Sequence, residues 1–306
     1  MKNYLREIMT RIEFPDEAIR YLLCEWEMAE KSLVGKILLE CLDKYIEEDK
    51  NNYEEKLDYN AVLSNIRKAC EAEGRPTSPS HMLFYLLISR PLKDRYKKLG
   101  IDEDIYYASM KDLKWKLLEC YENTDTWGMS VGWWEPGFFV PDRFTLGRLQ
   151  FELFPFNKDY TGHGETLTPA SKVINMHIPS SGPLTPELCM DSFKRAHEFY
   201  RDHFPSGISV FMVESWLLFP KHREFLPENS NILKFMDFFE ILGSNEDKPG
   251  KRGDMWRVFG KYAEAPAEEL PRDTGLRRAY ADWLQKGGTV GGGDGIFFFD
   301  GEKILK

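Results

Sequence analysis

Several large protein classes are excluded by what this chain lacks. Its five cysteines, Cys24, Cys41, Cys70, Cys120 and Cys189, are an odd number, widely spaced, without a CxxC pair or a histidine at ligand spacing. That argues against a disulfide framework or a zinc site and points to buried thiols in a reducing, cytoplasmic setting. Apolar runs such as Met82 to Ile88 suit a core helix and fall short of a membrane span, and the charged opening MKNYLREIMTRIEF lacks the form of a signal peptide. No HExxH, P-loop or EF-hand pattern occurs, and Ser209, Ser215 and Ser244 lie outside any GxSxG elbow. Metalloenzyme and serine hydrolase chemistry are therefore disfavoured, and no metal is expected. Basic residues are also in deficit, 41 Lys and Arg against 50 Asp and Glu, and both halves of the chain share the imbalance. Nucleic acid, whose phosphates call for a basic surface, is not an expected partner.

What is present fits an ordinary globular chain, 42% hydrophobic and 30% charged, and 306 residues favour two domains over one. In the first part, apolar residues fall at helical spacing from Asp16 to Glu48 (Ile19, Leu22, Leu23, Trp26, Leu33, Ile37, Leu38) after a start at Phe14-Pro15-Asp16-Glu17. Further helices are predicted at Tyr59 to Ala72, Ser80 to Ser89, Pro91 to Lys98 and Ile105 to Thr124, with breaks at Gly74 to Pro79, Arg90-Pro91 and Leu99 to Asp102. The texture changes at Asp125 to Pro141, where Trp127, Trp133 and Trp134 sit among glycines and prolines. A helical domain over 1–126 and a mixed domain over 127–306 are expected.

The second part alternates. Leu149, Phe151 and Leu153 oppose Arg148, Gln150 and Glu152, while Ile174, Met176 and Ile178 oppose Asn175 and His177, two half-buried strands. The loop Pro179 to Leu184 then leads into Thr185-Pro186-Glu187-Leu188, an N-cap followed by proline in the first helical turn. Strands are predicted at Ile208 to Leu218, Phe239 to Leu242 and Met255 to Phe259, and helices at Ser230 to Phe239 and Thr274 to Lys286, the last ended by Gly287. A hairpin turns at Asp300-Gly301. The glycine run Gly287 to Gly295 follows a helix and precedes a strand, the reverse of a phosphate-binding order, and reads as a flexible connector or lid.

The segments LGRLQFELF, INMHIPSSGPLTPELC, VESWLLFP and LPENSNILKF resemble those of bacterial acyltransferase-domain proteins that join a helical N-terminal domain to a GNAT-like C-terminal domain. The resemblance implies an α+β protein with a central, mostly antiparallel sheet. It also implies direct transfer of an acyl group from acetyl-CoA or another acyl-CoA to an amine of a small molecule or peptide. On that pattern the cofactor segment comprises Ile178, Ser180, Ser181, Gly182, Leu184 and Thr185, where backbone N–H groups at a helix start would favour a pyrophosphate. The usual basic, glycine-rich loop is replaced by one with a single glycine, two prolines and neither Lys nor Arg. A non-catalytic GNAT-fold ligand-binding protein that has lost CoA binding is therefore the alternative.

His177, which can take a proton near neutral pH, and Glu214, a carboxylate within an apolar strand, are the candidate catalytic residues. In a GNAT fold their strands would be neighbours that splay apart around the thioester. Glu152, Ser215, Trp216 and His222 are candidate acceptor-binding residues. No tyrosine lies between Ile208 and Gly260, so the acid for the leaving thiolate has no candidate there.

Overall fold

The computed structural model describes residues 1–50, 57–248 and 250–305. Its contacts divide into two compact units, Met1–Thr145 and Leu146–Lys306. The dividing point falls beyond the aromatic stretch at 125–141, because Phe138 and Phe139 are fully buried in the first unit and Tyr45 Oη donates to the Phe139 carbonyl at 2.7 Å.

The first unit is helical: α1 (Lys2–Arg11), α2 (Asp16–Ala29), α3 (Leu33–Lys50), α4 (Tyr59–Ala72), α5 (Thr77–Lys98), α6 (Glu103–Met110), α7 (Asp112–Thr124) and a short α8 (Pro136–Phe139). Every residue from Met82 to Ile88 is buried, so α5 is apolar all round and forms the centre against which α1, α2, α3, α4, α6 and α7 pack. Two expectations change here. The pattern from 16 to 48 is two helices, and the second approaches the first so closely that a Cβ on Gly35 would lie 2.1 Å from the Ala29 carbonyl oxygen. Conversely, Pro91 does not divide α5. The helix forgoes one amide donor there, and its surroundings hold it together. Of the cysteines only Cys24 is exposed.

The chain passes to the second unit within β1 (Arg143–Leu146). The second unit carries β2 (Leu149–Pro155), β3 (Tyr160–Gly162), β4 (Glu165–Leu167), β5 (Lys172–His177), α9 (Pro186–Tyr200), β6 (Ser209–Ser215), α10 (His222–Phe225), α11 (Asn231–Met236), β7 (Glu240–Glu246), α12 (Trp256–Phe259), α13 (Gly275–Gln285), β8 (Gly291–Phe299) and β9 (Ile304–Leu305). The sheet runs β2-β5-β6-β8-β7, with β9 added to β8, and only β5 and β6 are parallel. The expected α+β fold with a mostly antiparallel sheet is therefore present. One face packs on α9, where Phe193 contacts Phe211, Phe297 and Phe299. The opposite face is mixed, with Val210, Met212, Ile296 and Phe298 toward one end and polar residues clustered toward the other.

Two further expectations are overturned. Met255 to Phe259 is helical, and its buried Met255, Val258 and Phe259 fall at helical spacing, closed by Gly260 at φ +56°. Of the glycine run, Gly291, Gly292, Gly293 and Gly295 lie inside β8, all paired with β7 and Gly293 and Gly295 also with β6, so that only the stretch before Gly291 connects α13 to the strand. They are small because neighbouring backbone lies against them. A Cβ on Gly291 would sit 2.1 Å from the Asn245 carbonyl oxygen, and one on Gly293 would sit 2.7 Å from that of Leu218. β7 in turn extends beyond the expected Phe239 to Leu242, through Glu246, paired with this stretch of β8.

Candidate active site

Register decides which side chains share the polar face. Glu152 lies opposite Asn175 across the β2/β5 pair, and Asn175 is level with Met212 across the parallel β5/β6 pair. Two residues further along each parallel strand come His177 and Glu214, and Glu214 is paired with Asp294 of β8. Strand alternation therefore puts Glu152, Asn175, His177, Glu214 and Asp294 on one face.

Three of these are directly bonded. His177 Nε2 lies 2.7 Å from Glu152 Oε1, Asn175 Nδ2 donates to the same oxygen at 3.2 Å, and Asn175 Nδ2 and His177 Nε2 are 3.3 Å apart. The side chains of His177 and Glu152 are 17% and 15% exposed, sheltered enough for the bond to matter and open enough for a substrate to reach. An ionised carboxylate only accepts, so Nε2 is the donor in this bond, and an imidazole held this way has Nδ1 as its basic nitrogen whenever it is neutral. The carboxylate fixes the ring, and its charge favours a protonated imidazole over a neutral one.

Pairing between β5 and β6 is confined to Ile174 with Phe211 and Asn175 with Met212. Beyond that point the strands no longer pair, at the level of His177 and Glu214. A parallel pair that opens at its C-terminal ends leaves backbone groups of both strands to face a ligand.

Glu214 departs from expectation in one respect. It is exposed, because the polar face of β6 is open there, so it is not a carboxylate strained by burial. Ser215 turns away from the face, its hydroxyl accepting from Leu217 N at 3.2 Å at the start of a turn over Trp216–Leu218. Trp216 packs against the cluster that includes Met255, Phe259 and Tyr280. His222 is fully buried among Trp216, Phe219, Phe225 and Tyr280, with its Nε2 bonded to Tyr280 Oη. Burial pushes its pKa down to about 4. Ser215, Trp216 and His222 thus stand apart from the Glu152–Asn175–His177 group.

At the end of β5 the loop places Ile178, Ser180, Ser181, Gly182, Leu184 and Thr185 before α9. Gly182 has φ +106°, a conformation glycine adopts without strain, and Leu184 is buried. Thr185 caps α9 as expected, its Oγ1 accepting from Leu188 N at 3.4 Å. Cys189, on the first turn, is no nucleophile: burial raises its thiol to about 12.

The contacts of two residues of this region are not legible in the sequence. Arg148 reaches across to the loop, its Nε donating to the Pro183 carbonyl at 3.1 Å and its Nη2 to the Gly182 carbonyl at 2.9 Å. Asp294, on the polar face, pairs with Lys158 Nζ at 2.8 Å. No sequence signal marks either, since one contact spans 34 positions and the other 136. Among the described residues, no cluster of His, Cys, Asp or Glu is arranged to hold a metal ion.

Residues 144–297, half of the chain, match the model of the GNAT-like C-terminal domain. The chain belongs to that family. Residues 3–139 match the model of the N-acyltransferase N-terminal domain, so this GNAT-like protein joins the helical unit to the sheet unit in the order the sequence resemblance implies. Among solved structures it is similar to an acyltransferase in complex with decanoyl-CoA and teicoplanin, at 22% identity and TM-score 0.73, covering 95% of this chain and 86% of that one. The same figures hold for an acyltransferase with CoA and 10C-teicoplanin and for an acyltransferase mutant with octanoyl-CoA. No curated protein matches. Among the described residues no helix is long and apolar enough to cross a membrane.

Proposed function

We propose that this GNAT-like protein is an N-acyltransferase that moves an acyl group from acyl-CoA to an amine of a small molecule or peptide, with His177 as the general base. The bond between His177 and Glu152, beside the point where β5 and β6 part, carries this reading. Its solved neighbours, acyltransferases bound to acyl-CoA and, in one case, to teicoplanin, support it.

The amine nitrogen attacks the thioester carbonyl, forming the C–N bond, while its proton passes to His177 Nδ1. The C–S bond then breaks, and the CoA thiolate leaves and takes up a proton. Glu152 holds the imidazole and offsets its charge, and Asn175 steadies the carboxylate. Backbone donors where β5 and β6 part are placed to polarise the carbonyl. Exposed Glu214, on the same face, draws a cationic acceptor toward the base, and the ammonium releases its extra proton to solvent before the neutral amine attacks. Ile178, Ser180, Ser181, Gly182, Leu184 and Thr185 would line the path of the CoA chain.

Thermal-shift titration with acyl-CoAs from acetyl to decanoyl tests the reading. A saturable rise in melting temperature is expected, since a ligand that binds only the folded state stabilises it. No rise with any chain length, together with stabilisation by another metabolite class, would favour the non-catalytic ligand-binding protein.

A further inference from the structure

A pyrophosphate needs positive potential and open N–H donors, and the loop after β5 is poor in both. It contains neither Lys nor Arg. The first turn of α9 is already occupied: Pro186 has no N–H, Leu188 N is held by Thr185 Oγ1 at 3.4 Å, and Cys189 N bonds the Thr185 carbonyl at 3.0 Å. The Glu187 carboxylate accepts from its own backbone N–H and adds negative charge at this end. The helix start alone does not make an anion site.

Arg148 changes that balance. Its backbone N donates to Ser192 Oγ at 2.7 Å, and that hydroxyl donates to the Leu188 carbonyl at 3.0 Å, which ties the start of β2 to α9. The approach is close enough that a Cβ on Gly147 would lie 2.7 Å from Ser192 Oγ. From this anchor the guanidinium takes the carbonyls of Gly182 and Pro183, while its buried Nη1 has no hydrogen-bond partner. In a trans peptide the C=O and the following N–H point in opposite directions. Drawing the Pro183 carbonyl toward Arg148 therefore aims the Leu184 N–H away from the guanidinium.

We propose that Arg148 orients the loop after β5 and supplies the positive charge for the pyrophosphate of CoA, in place of the basic residues the loop lacks. This rests on the acyl-CoA reading above and assigns the phosphate-recognising residue within it. Arg148 is a positioning residue: its charge acts from one peptide plane behind the Leu184 N–H, the bond to the Pro183 carbonyl sets that donor's direction, and the bond to the Gly182 carbonyl holds the loop.

The test is calorimetric titration of wild type, R148K and R148M with decanoyl-CoA and with decanoyl-pantetheine, which ends before the phosphates. R148M should weaken decanoyl-CoA binding about tenfold or more, the scale of losing one partly buried charge near a phosphate. R148K, which keeps the charge without the fork, should fall between. All three should bind decanoyl-pantetheine alike, which also reports that the variants are folded. Equal affinity of wild type and R148M for decanoyl-CoA overturns the proposal, as does equal loss for both ligands, the mark of a purely structural arginine. A wild type that binds neither ligand overturns the acyl-CoA reading as well, whereas a wild type that binds both leaves that reading standing whatever R148M does.

Discussion

His177 and Glu152 come from adjacent strands and lie diagonally, two residues out of direct register on one face, and their Nε2 and Oε1 atoms meet at 2.7 Å. The pair exists only because β2 and β5 are antiparallel in this register, and a slip of one strand by one residue would put the two side chains on opposite faces of the sheet. Glu152→Gln should keep the fold and lower turnover, by less than His177→Ala, because an amide still orients the ring but carries no charge to offset the imidazolium. Steady-state kinetics on the two variants checks the order.

Glu214 offers a separate reading of the same face. Since it is exposed, Glu214→Gln should leave thermal stability and acyl-CoA affinity unchanged while raising the KM for a cationic amine. A fall in acyl-CoA affinity would place it on the wrong side of the reaction.

The buried pair of Arg95 and Glu48, at 3.6 Å, belongs to the helical unit and to stability alone. Arg95 also stacks over the Tyr45 ring at 3.6 Å. Arg95→Ala leaves a carboxylate buried without its counter-charge and should cost about 3–5 kcal/mol. Chemical denaturation measures it.

Gly293 and Gly182 separate two reasons for glycine. Gly293→Ala should destabilise by about 1–3 kcal/mol through overpacking, since its Cβ would meet the Leu218 carbonyl at 2.7 Å. Gly182 has open space around it, so Gly182→Ala should cost about 1–2 kcal/mol through its φ of +106° alone. Melting curves of the two variants, with and without acyl-CoA, show whether only the second also disturbs the cofactor loop.

His222 sets a pH dependence of stability. Its folded pKa, about 4, lies below the ordinary value of 6.5, so the unfolded chain binds the extra proton between those limits. Stability from this group is full above about 6.5 and is lost as pH falls toward 4, by roughly 3 kcal/mol in all. Unfolding free energies from pH 7 to pH 4 should show the slope, and His222→Phe should flatten it.

Much of this was legible in sequence. The alternation around Phe151 and Ile174 gave β2 and β5, and the Thr185-Pro186 cap gave the start of α9. His177 and Glu152 were both visible as polar residues of strands, but their contact depends on register between strands more than twenty positions apart, which periodicity does not encode. The surroundings of Glu214 and His222 were not legible, for opposite reasons: a carboxylate in an apolar strand can face an open side, and a histidine after a proline can close an aromatic core. The glycine run misled most, because glycine serves both loose loops and strands crossed by backbone, and only the packed neighbours Leu218 and Asn245 decide between them. Arg148 was hidden because its role lies in carbonyls it meets in space.

The most direct test follows the release of free CoA thiol from decanoyl-CoA in the presence of amine acceptors, for wild type and His177→Ala. Wild type should release thiol in an amine-dependent way, and the variant, still binding decanoyl-CoA, should do so at least about 100-fold more slowly, the lower range for loss of a general base. Amine-dependent release at an equal rate in the two proteins would contradict the account.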